Sequence, residues 1–246
     1  MSKTAVVKEL EALGKPTHAA TYARHGITGR VLGVPYADLY KLQKRIGVDS
    51  KLAEQLWSTG VHDARTLAIF ISDPATIKAA TLDTWAKTVD NQLTLDAVAG
   101  LAAKTPAATA RMKKWMAAKN EWVAATGWHV LSALCGAPEH GGLKDSDLAS
   151  FVATIEKSIH GERNRTKHSM NGALIALGTC GPALEKKALA AAKRIGKVDI
   201  DHGDTSCKTP DALTYIKKVV AHQKQKQAKA AAKKKATKKT KKVRAH

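Results

Sequence analysis
The chain has 246 residues and a formal net charge of +20, from 41 Lys and Arg against 21 Asp and Glu. That length suits one domain with a sizeable core or a compact repeat array. Three cysteines, Cys135, Cys180 and Cys207, with no C-x-x-C spacing, exclude a disulfide framework and a cysteine-rich zinc site.

No apolar run is long enough to span a bilayer, and Met1–Gly14 is amphipathic and mixed in charge, without the apolar stretch of a signal peptide. A cytoplasmic, nucleoid-associated monomer with no membrane contact is expected. Residues 223–246 hold eleven Lys or Arg and no acid, which leaves 30 basic and 21 acidic groups, a net of +9, in the rest. The body is therefore basic without its tail. DNA is the expected partner, because a polyanion draws on Lys and Arg together.

Apolar spacing reads as helix along almost the whole chain. Helices are expected over 36–47, 50–59, 61–72, 75–89, 91–104, 106–118, 120–136, 144–160, 165–178, 182–195 and 210–222. Val61, Ala64, Ala68 and Ile71 form one stripe, and Leu148, Phe151, Val152, Ile155 and Ile159 another. No alternating run marks a strand. Asp73-Pro74, Thr105-Pro106, Gly181-Pro182 and Thr209-Pro210 are read as helix starts, and Gly47, Gly60 and Gly178 as helix ends. Short helices on short connections predict an all-α fold, an α-solenoid of antiparallel helix pairs with a concave face. The helical-repeat domain is expected to span 1–222. The Lys- and Ala-rich tail, 223–246, is expected to be disordered, because like charges at i, i+4 oppose its helix.

Several signatures are absent: no phosphate-binding G-x-x-x-x-G-K-[ST], no G-x-G-x-x-G, no H-E-x-x-H, no G-x-S-x-G. No cofactor is expected. His202, Asp204 and Cys207 match no metal-ligand spacing, so no metal is expected, and Asp199, Asp201 and Asp204 read as turn acids. His160, Arg163, Arg165, Lys167 and His168 gather at a turn before a helix, a pattern that suits phosphate. Lys41, Lys44 and Arg45 share one helix, and Lys113 and Lys114 another; both sets are candidate DNA-backbone contacts.

The stretch Val34–Pro74 carries a resemblance. Pro35, Leu39, the Lys44-Arg45-Ile46-Gly47 turn, Leu52-Ala53 and Leu56-Trp57 precede His62-Asp63-Ala64-Arg65, Leu67-Ala68 and Asp73-Pro74. This resembles the DNA alkylation repair family, the AlkD-like DNA glycosylases of HEAT-like repeats. The likeness continues through Trp85–Asp90 and Asn120-Glu121-Trp122, then more weakly through Asn171–Gly178.

The resemblance implies release of N3- or N7-alkylated purines from duplex DNA, with a carboxylate stabilising the sugar cation. Asp90 stands at the family's catalytic Asp position. Trp85 lies one place from the site-lining Trp, whose own position reads Ala86. The active-site Arg position reads Ala125, and a second site Trp reads Gly172. Trp85, Trp122 and Trp128 are the expected lesion-lining aromatics. The departures leave two readings: a DNA glycosylase acting through Asp90, or a non-catalytic DNA-binding protein of the same fold that recognises bent, branched or damaged DNA.

Overall fold
A computed structural model describes the backbone of residues 1–203 and 205–243, and side chains as far as Lys229 apart from Gln227. Thirteen α-helices follow one another: α1 Lys3–Leu13, α2 Pro16–Arg24, α3 Tyr36–Ile46, α4 Ser50–Trp57, α5 His62–Phe70, α6 Ala79–Lys87 and α7 Gln92–Ala102. Then come α8 Ala108–Met116, α9 Glu121–Cys135, α10 Asp145–Ser158, α11 Asn164–Leu177, α12 Pro182–Ile195 and α13 Ala212–Val243, with short 3-10 turns at Pro138–Gly142 and Ile159–Gly161. No strand occurs among the described residues, and none of their helices is long and apolar enough to cross a membrane.

The helices make two layers. Each of α3, α5, α7, α9, α11 and α13 packs on the next, forming the inner row. The helices α4, α6, α8, α10 and α12 back them as the outer row, each packed against its inner partner. Side-chain bonds rivet the outer row. Thr81 Oγ1 on α6 donates to Glu54 on α4 at 3.1 Å, and Arg194 on α12 pairs with Glu156 on α10. Between α6 and α8, Asp83 accepts from Trp115 Nε1 at 2.7 Å and from both Arg111 and Lys114 at 2.6 Å. Burial pushes the Asp83 carboxyl up, but the Lys114 and Trp115 bonds and the Arg111 charge outweigh it and hold it below the ordinary carboxylate range. This is the expected α-solenoid of paired helices.

Local chemistry explains where the ends fall. Ser2, Asp49, Asn91, Asn120 and Asp211 cap their helices with a side-chain oxygen on a backbone N–H. Gly47 and Gly60 follow α3 and α4 with φ of 73° and 70°, as helix ends require. Pro182 opens α12 as expected. Pro74 and Pro106 instead lie in turns before their helices, and Pro210 in the irregular segment before α13; the Asp73 carboxylate closes the Pro74 turn on Ala75 N. The helices α1 and α2 were not among those expected; none of the residues of α2 is buried, so it has no apolar stripe to read. The last helix continues through the segment expected to be disordered, as far as Val243, in keeping with the helix propensity of Ala and Lys; its last described core residue is Val220. Residues 244–246 lie outside the described residues.

A close helix–helix contact lies at Gly127, on α9. A Cβ there would meet Met116 N at 2.5 Å and Met112 O at 3.0 Å, both backbone atoms of α8. Substituting Gly127→Ala is expected to force α8 outward and cost about 2 kcal/mol, read as a lower midpoint in urea denaturation. An unchanged midpoint would mean that the two helices can separate freely.

Candidate nucleic-acid interface
The inner row presents its solvent side as the concave face. On α11, Arg165, His168, Gly172 and Ala176 are not buried and follow one stripe, with Asn164 and Lys167 on its flank. On α9 the matching positions are Trp122, His129, Ser132 and Ala133, and on α7 they are Asp96, Ala97 and Gly100. The space where a Cβ would stand on Gly100 and on Gly172 is open. The floor is therefore open at these two glycines, suited there to the close approach of a polymer backbone.

At the edge of this floor stands Asp90, exposed, immediately before α7. It does not cap the helix; Asn91 does that, its Oδ1 accepting from Thr94 N at 2.9 Å. Asn91 Nδ2 donates to Asp90 Oδ1 at 2.8 Å, and Thr28 Oγ1 approaches Asp90 Oδ2 at 3.4 Å. Thr28 reaches it because the chain between α2 and α3 is anchored by Asp63, a buried residue near the start of α5. The two oxygens of Asp63 accept from Leu32 N and Val34 N, each at 2.7 Å. His62 lies alongside, edge-on to Tyr22 at 5.4 Å; burial pushes its pKa down, against the pull of Asp63 and Asp90.

The expected site residues divide. Trp85 and Trp128 are core, 3% and 5% exposed, a correction to their expected place on the DNA face. Trp85 lies flat against Trp57 at 4.3 Å, and Trp128 meets Phe151 edge-on at 6.1 Å. A Trp spaced for a helix face is drawn inward by its large apolar area. Trp122 stays half-buried on the concave face, with the Arg165 guanidinium over its ring at 5.6 Å. Arg165 also donates its backbone N–H to Glu121 at 2.6 Å, so it is held on the floor.

Among the cations, Arg163 is exposed at the start of α11, and Lys167 is half-buried on the flank towards residues 196–211. Lys41 and Lys44 are exposed on the side of α3 opposite its buried Leu39 and Leu42, whereas Arg45 turns to Glu9 of α1. Lys41 pairs with Asp38, while Lys44 has no ion-pair partner among the described residues. Lys113 and Lys114, candidate DNA-backbone contacts, lie on α8 in the outer row, and Lys114 is taken up by Asp83. No cluster of three or more metal-ligating side chains occurs among the described residues; Asp204 lies outside them.

Two features were missed in the sequence. Tyr40 on α3, 53% exposed, stacks on Phe70 at 5.0 Å and 13°, beside Lys41 and Lys44. The other is a chain of polar side chains across the floor. His168 Nδ1 lies 3.3 Å from Gln92 Oε1, Gln92 Nε2 donates to Asp96 Oδ1 at 2.6 Å, and His129 Nε2 lies 3.6 Å from the same oxygen. These residues come from three helices far apart in sequence, and no spacing rule joins them.

Burial, then the charges of His202, Arg165 and His129, push the His168 pKa down to about 4. Burial pushes the Asp96 carboxyl up, against His129 and Gln92. His168 therefore contributes stability that is fully present above pH 6.5 and lost as pH falls from 6.5 towards 4, because the unfolded chain takes the proton first. The raised Asp96 acts in the opposite sense, its contribution being lost as pH rises through its folded value. At pH 5 the His168 share is roughly 1–2 kcal/mol after allowance for solvent screening. Urea titrations at pH 7 and pH 5 should show the wild type losing that much more stability than His168→Gln. Equal losses in both would remove His168 as the source.

Comparison with known proteins fits this geometry. A family model described as DNA alkylation repair enzyme matches residues 6–239. The uncharacterized proteins Lin0241 of Listeria innocua and Lmo0209 of Listeria monocytogenes are each 29% identical over 218 residues, 85% of this chain and 93% of theirs. A solved structure of a new family of proteins related to the HEAT-like repeat DNA glycosylases, with affinity for branched DNA structures, is 27% identical. It superposes with a TM-score of 0.83 over 90% of this chain and 95% of that one. With its paired helices, its small-residue concave floor and a match over nearly its whole length, the chain belongs to the DNA alkylation repair enzyme family.

Proposed function
We propose that this protein is a DNA-binding member of its family that grips bent or branched DNA on the concave face and reads shape rather than excising a base. The observation that carries this reading is the floor itself. Ala125 and Gly172 stand where the resemblance places an Arg and a Trp, and Trp85 and Trp128 are buried, so of the expected aromatics only Trp122 reaches the face. What the floor retains is cationic and small: Arg165, the open Gly100 and Gly172, and Lys41 and Lys44 at the N-terminal end. Such a surface suits phosphates brought close together by a bend or branch. The branched-DNA affinity of the related family supports the same reading. A monomer acting at the chromosome follows from it.

Alkylpurine excision is the second reading, favoured by Asp90. Its carboxylate is exposed beside the floor, is not used as a helix cap, and keeps Thr28 and Asn91 as orienting neighbours. An aspartate so placed has the charge to stabilise a sugar cation.

One experiment separates them. Purified protein is titrated against a four-way junction and a linear duplex, and incubated with duplex carrying one N7-methylguanine or N3-methyladenine while free base is quantified. The expected result is binding to the junction about tenfold tighter than to the duplex and no free base. Base release by the wild type and not by Asp90→Asn would establish the glycosylase instead. In the same titrations, the double charge reversal Lys41→Glu with Lys44→Glu should weaken both DNAs about tenfold or more and lower the slope of log affinity against log salt by about 2. An unchanged slope would place the phosphates elsewhere.

A further inference from the structure
Of the aromatic side chains, only Tyr40 and Tyr215 are exposed. The ring of Tyr215 has Lys218 over it at 5.8 Å. Tyr40 is held differently. Its ring lies nearly parallel to Phe70 of α5, with centroids 5.0 Å apart and planes at 13°. Gln43 Nε2 donates to Phe70 O at 2.9 Å, which ties α3 to the end of α5 and fixes the two rings relative to each other. Tyr36 stands 6.0 Å from Phe70 and 6.2 Å from Tyr40, tilted by 59° to each. A ring nearly equidistant from both members of a stack lies beside it. Phe70 therefore covers one face of Tyr40, and Tyr36 leaves the other face free.

The surroundings narrow what suits that face. A ring already fixed on Phe70 loses little freedom when a third flat ring joins the stack, and it gains apolar contact. Lys44 follows Tyr40 on the same side of α3, one turn on and about 6 Å along the axis, and Lys41 is its neighbour in sequence. Both lysines are exposed, and Lys44 has no ion-pair partner among the described residues. A flat group tethered to anions is what such a pairing fits. The position is that of the groove. Tyr36 precedes Tyr40 by one turn, and burial, then Tyr22, Tyr40, Asp96 and Asp63, push its pKa up to about 12. Asp96 belongs to the floor on α7, so the aromatic stripe of α3 begins beside that floor and runs out from its N-terminal end.

Resting on the DNA-binding reading above, we propose that Tyr40, backed by Phe70, is a stacking platform for an unpaired base of DNA held on the concave face, with Lys41 and Lys44 on the adjoining phosphates. In a continuous duplex both faces of a base are covered by its neighbours in the stack, so the Tyr40 ring finds no partner there. A base already unpaired, as at a fork, has a face to offer and little unstacking cost to meet. Every base has such a face, so the platform tolerates any sequence. Selection between open and continuous DNA then comes from the ring, while the two lysines attract both.

The test uses the full-length protein and two DNAs, a linear duplex and the same duplex opened at one end into a fork whose unpaired arm carries a single 2-aminopurine. For the wild type the fork should bind about tenfold tighter than the duplex, as one base stacked on an aromatic ring provides, and binding should quench the 2-aminopurine fluorescence. Tyr40→Leu, apolar but without a ring, should bring the affinity ratio to near one and abolish the quench. Tyr40→Phe, which keeps the ring, should keep both. The position is exposed, so neither substitution puts a demand on folding. Equal wild-type affinity for the two DNAs, or a ratio and quench preserved in Tyr40→Leu, overturns the proposal while DNA binding stands. Absence of wild-type binding to either DNA would overturn the DNA-binding reading itself, a separate outcome in the same titration.

Discussion
The structure depends on how closely α8 and α9 approach at Gly127. The helix α9 is packed by α6, α7, α8 and α11 and is buried over most of its length. A helix so enclosed has almost no side on which polar groups can be solvated. Its sequence answers with Val123, Ala124, Ala125, Val130, Leu131 and Leu134, and its Thr126 hydroxyl returns to the carbonyl of Trp122. Only glycine lets the α8 backbone come so near, and the approach sets the thickness of the solenoid at its centre. With α9 fixed, α7 and α11 on either side of it hold Asp96 and His168 near enough for Gln92 to link them.

A second constraint ties the N-terminal third to the same floor. The chain between α2 and α3 is non-helical and would leave backbone donors unmet as it crosses the start of α5. Asp63 accepts two of them with its two carboxylate oxygens. The His62-Asp63-Ala64-Arg65 sequence, first notable only as part of a resemblance, acquires a physical role in this way. One residue pins the segment, and the pinned segment delivers Thr28 to Asp90. Arg65 in turn covers the Trp57 ring at 5.2 Å, on the outer row, so the tetrad serves both layers.

Much of the fold was legible in the sequence because its signals are local. The spacing of Leu148, Val152, Ile155 and Ile159 finds α10, and Pro182 marks the start of α12 at the expected residue. The proline turns were misread because a capping residue before Pro looks alike whether the helix starts at once or a turn later, as at Asp73-Pro74. The site was less legible. Trp85 and Trp128 look the same in sequence whether they face core or ligand, and only the packing of Trp57 and Phe151 decides. Lys114 reads as a free cation until Asp83, on another helix, is seen to hold it. The Asn171 amide is tied to Pro210 O, 39 positions away, a contact that no local pattern encodes.

The floor joins small residues and a neutral histidine, His168, in a protein of strong positive charge, and the pairing has a physical consequence. A groove lined throughout by Lys and Arg would hold any stretch of duplex by charge alone and would discriminate little. Here Arg165 is restrained by Trp122 and Glu121, the exposed lysines of α3 stand at one end, and burial keeps His168 uncharged at neutral pH. Attraction is thus delivered at the edges, while the centre offers room and hydrogen-bonding groups. On the proposed reading, a straight duplex would satisfy the edges but gain little from the centre, whereas DNA that bends into the groove would satisfy both, and discrimination would come from that difference rather than from the total charge.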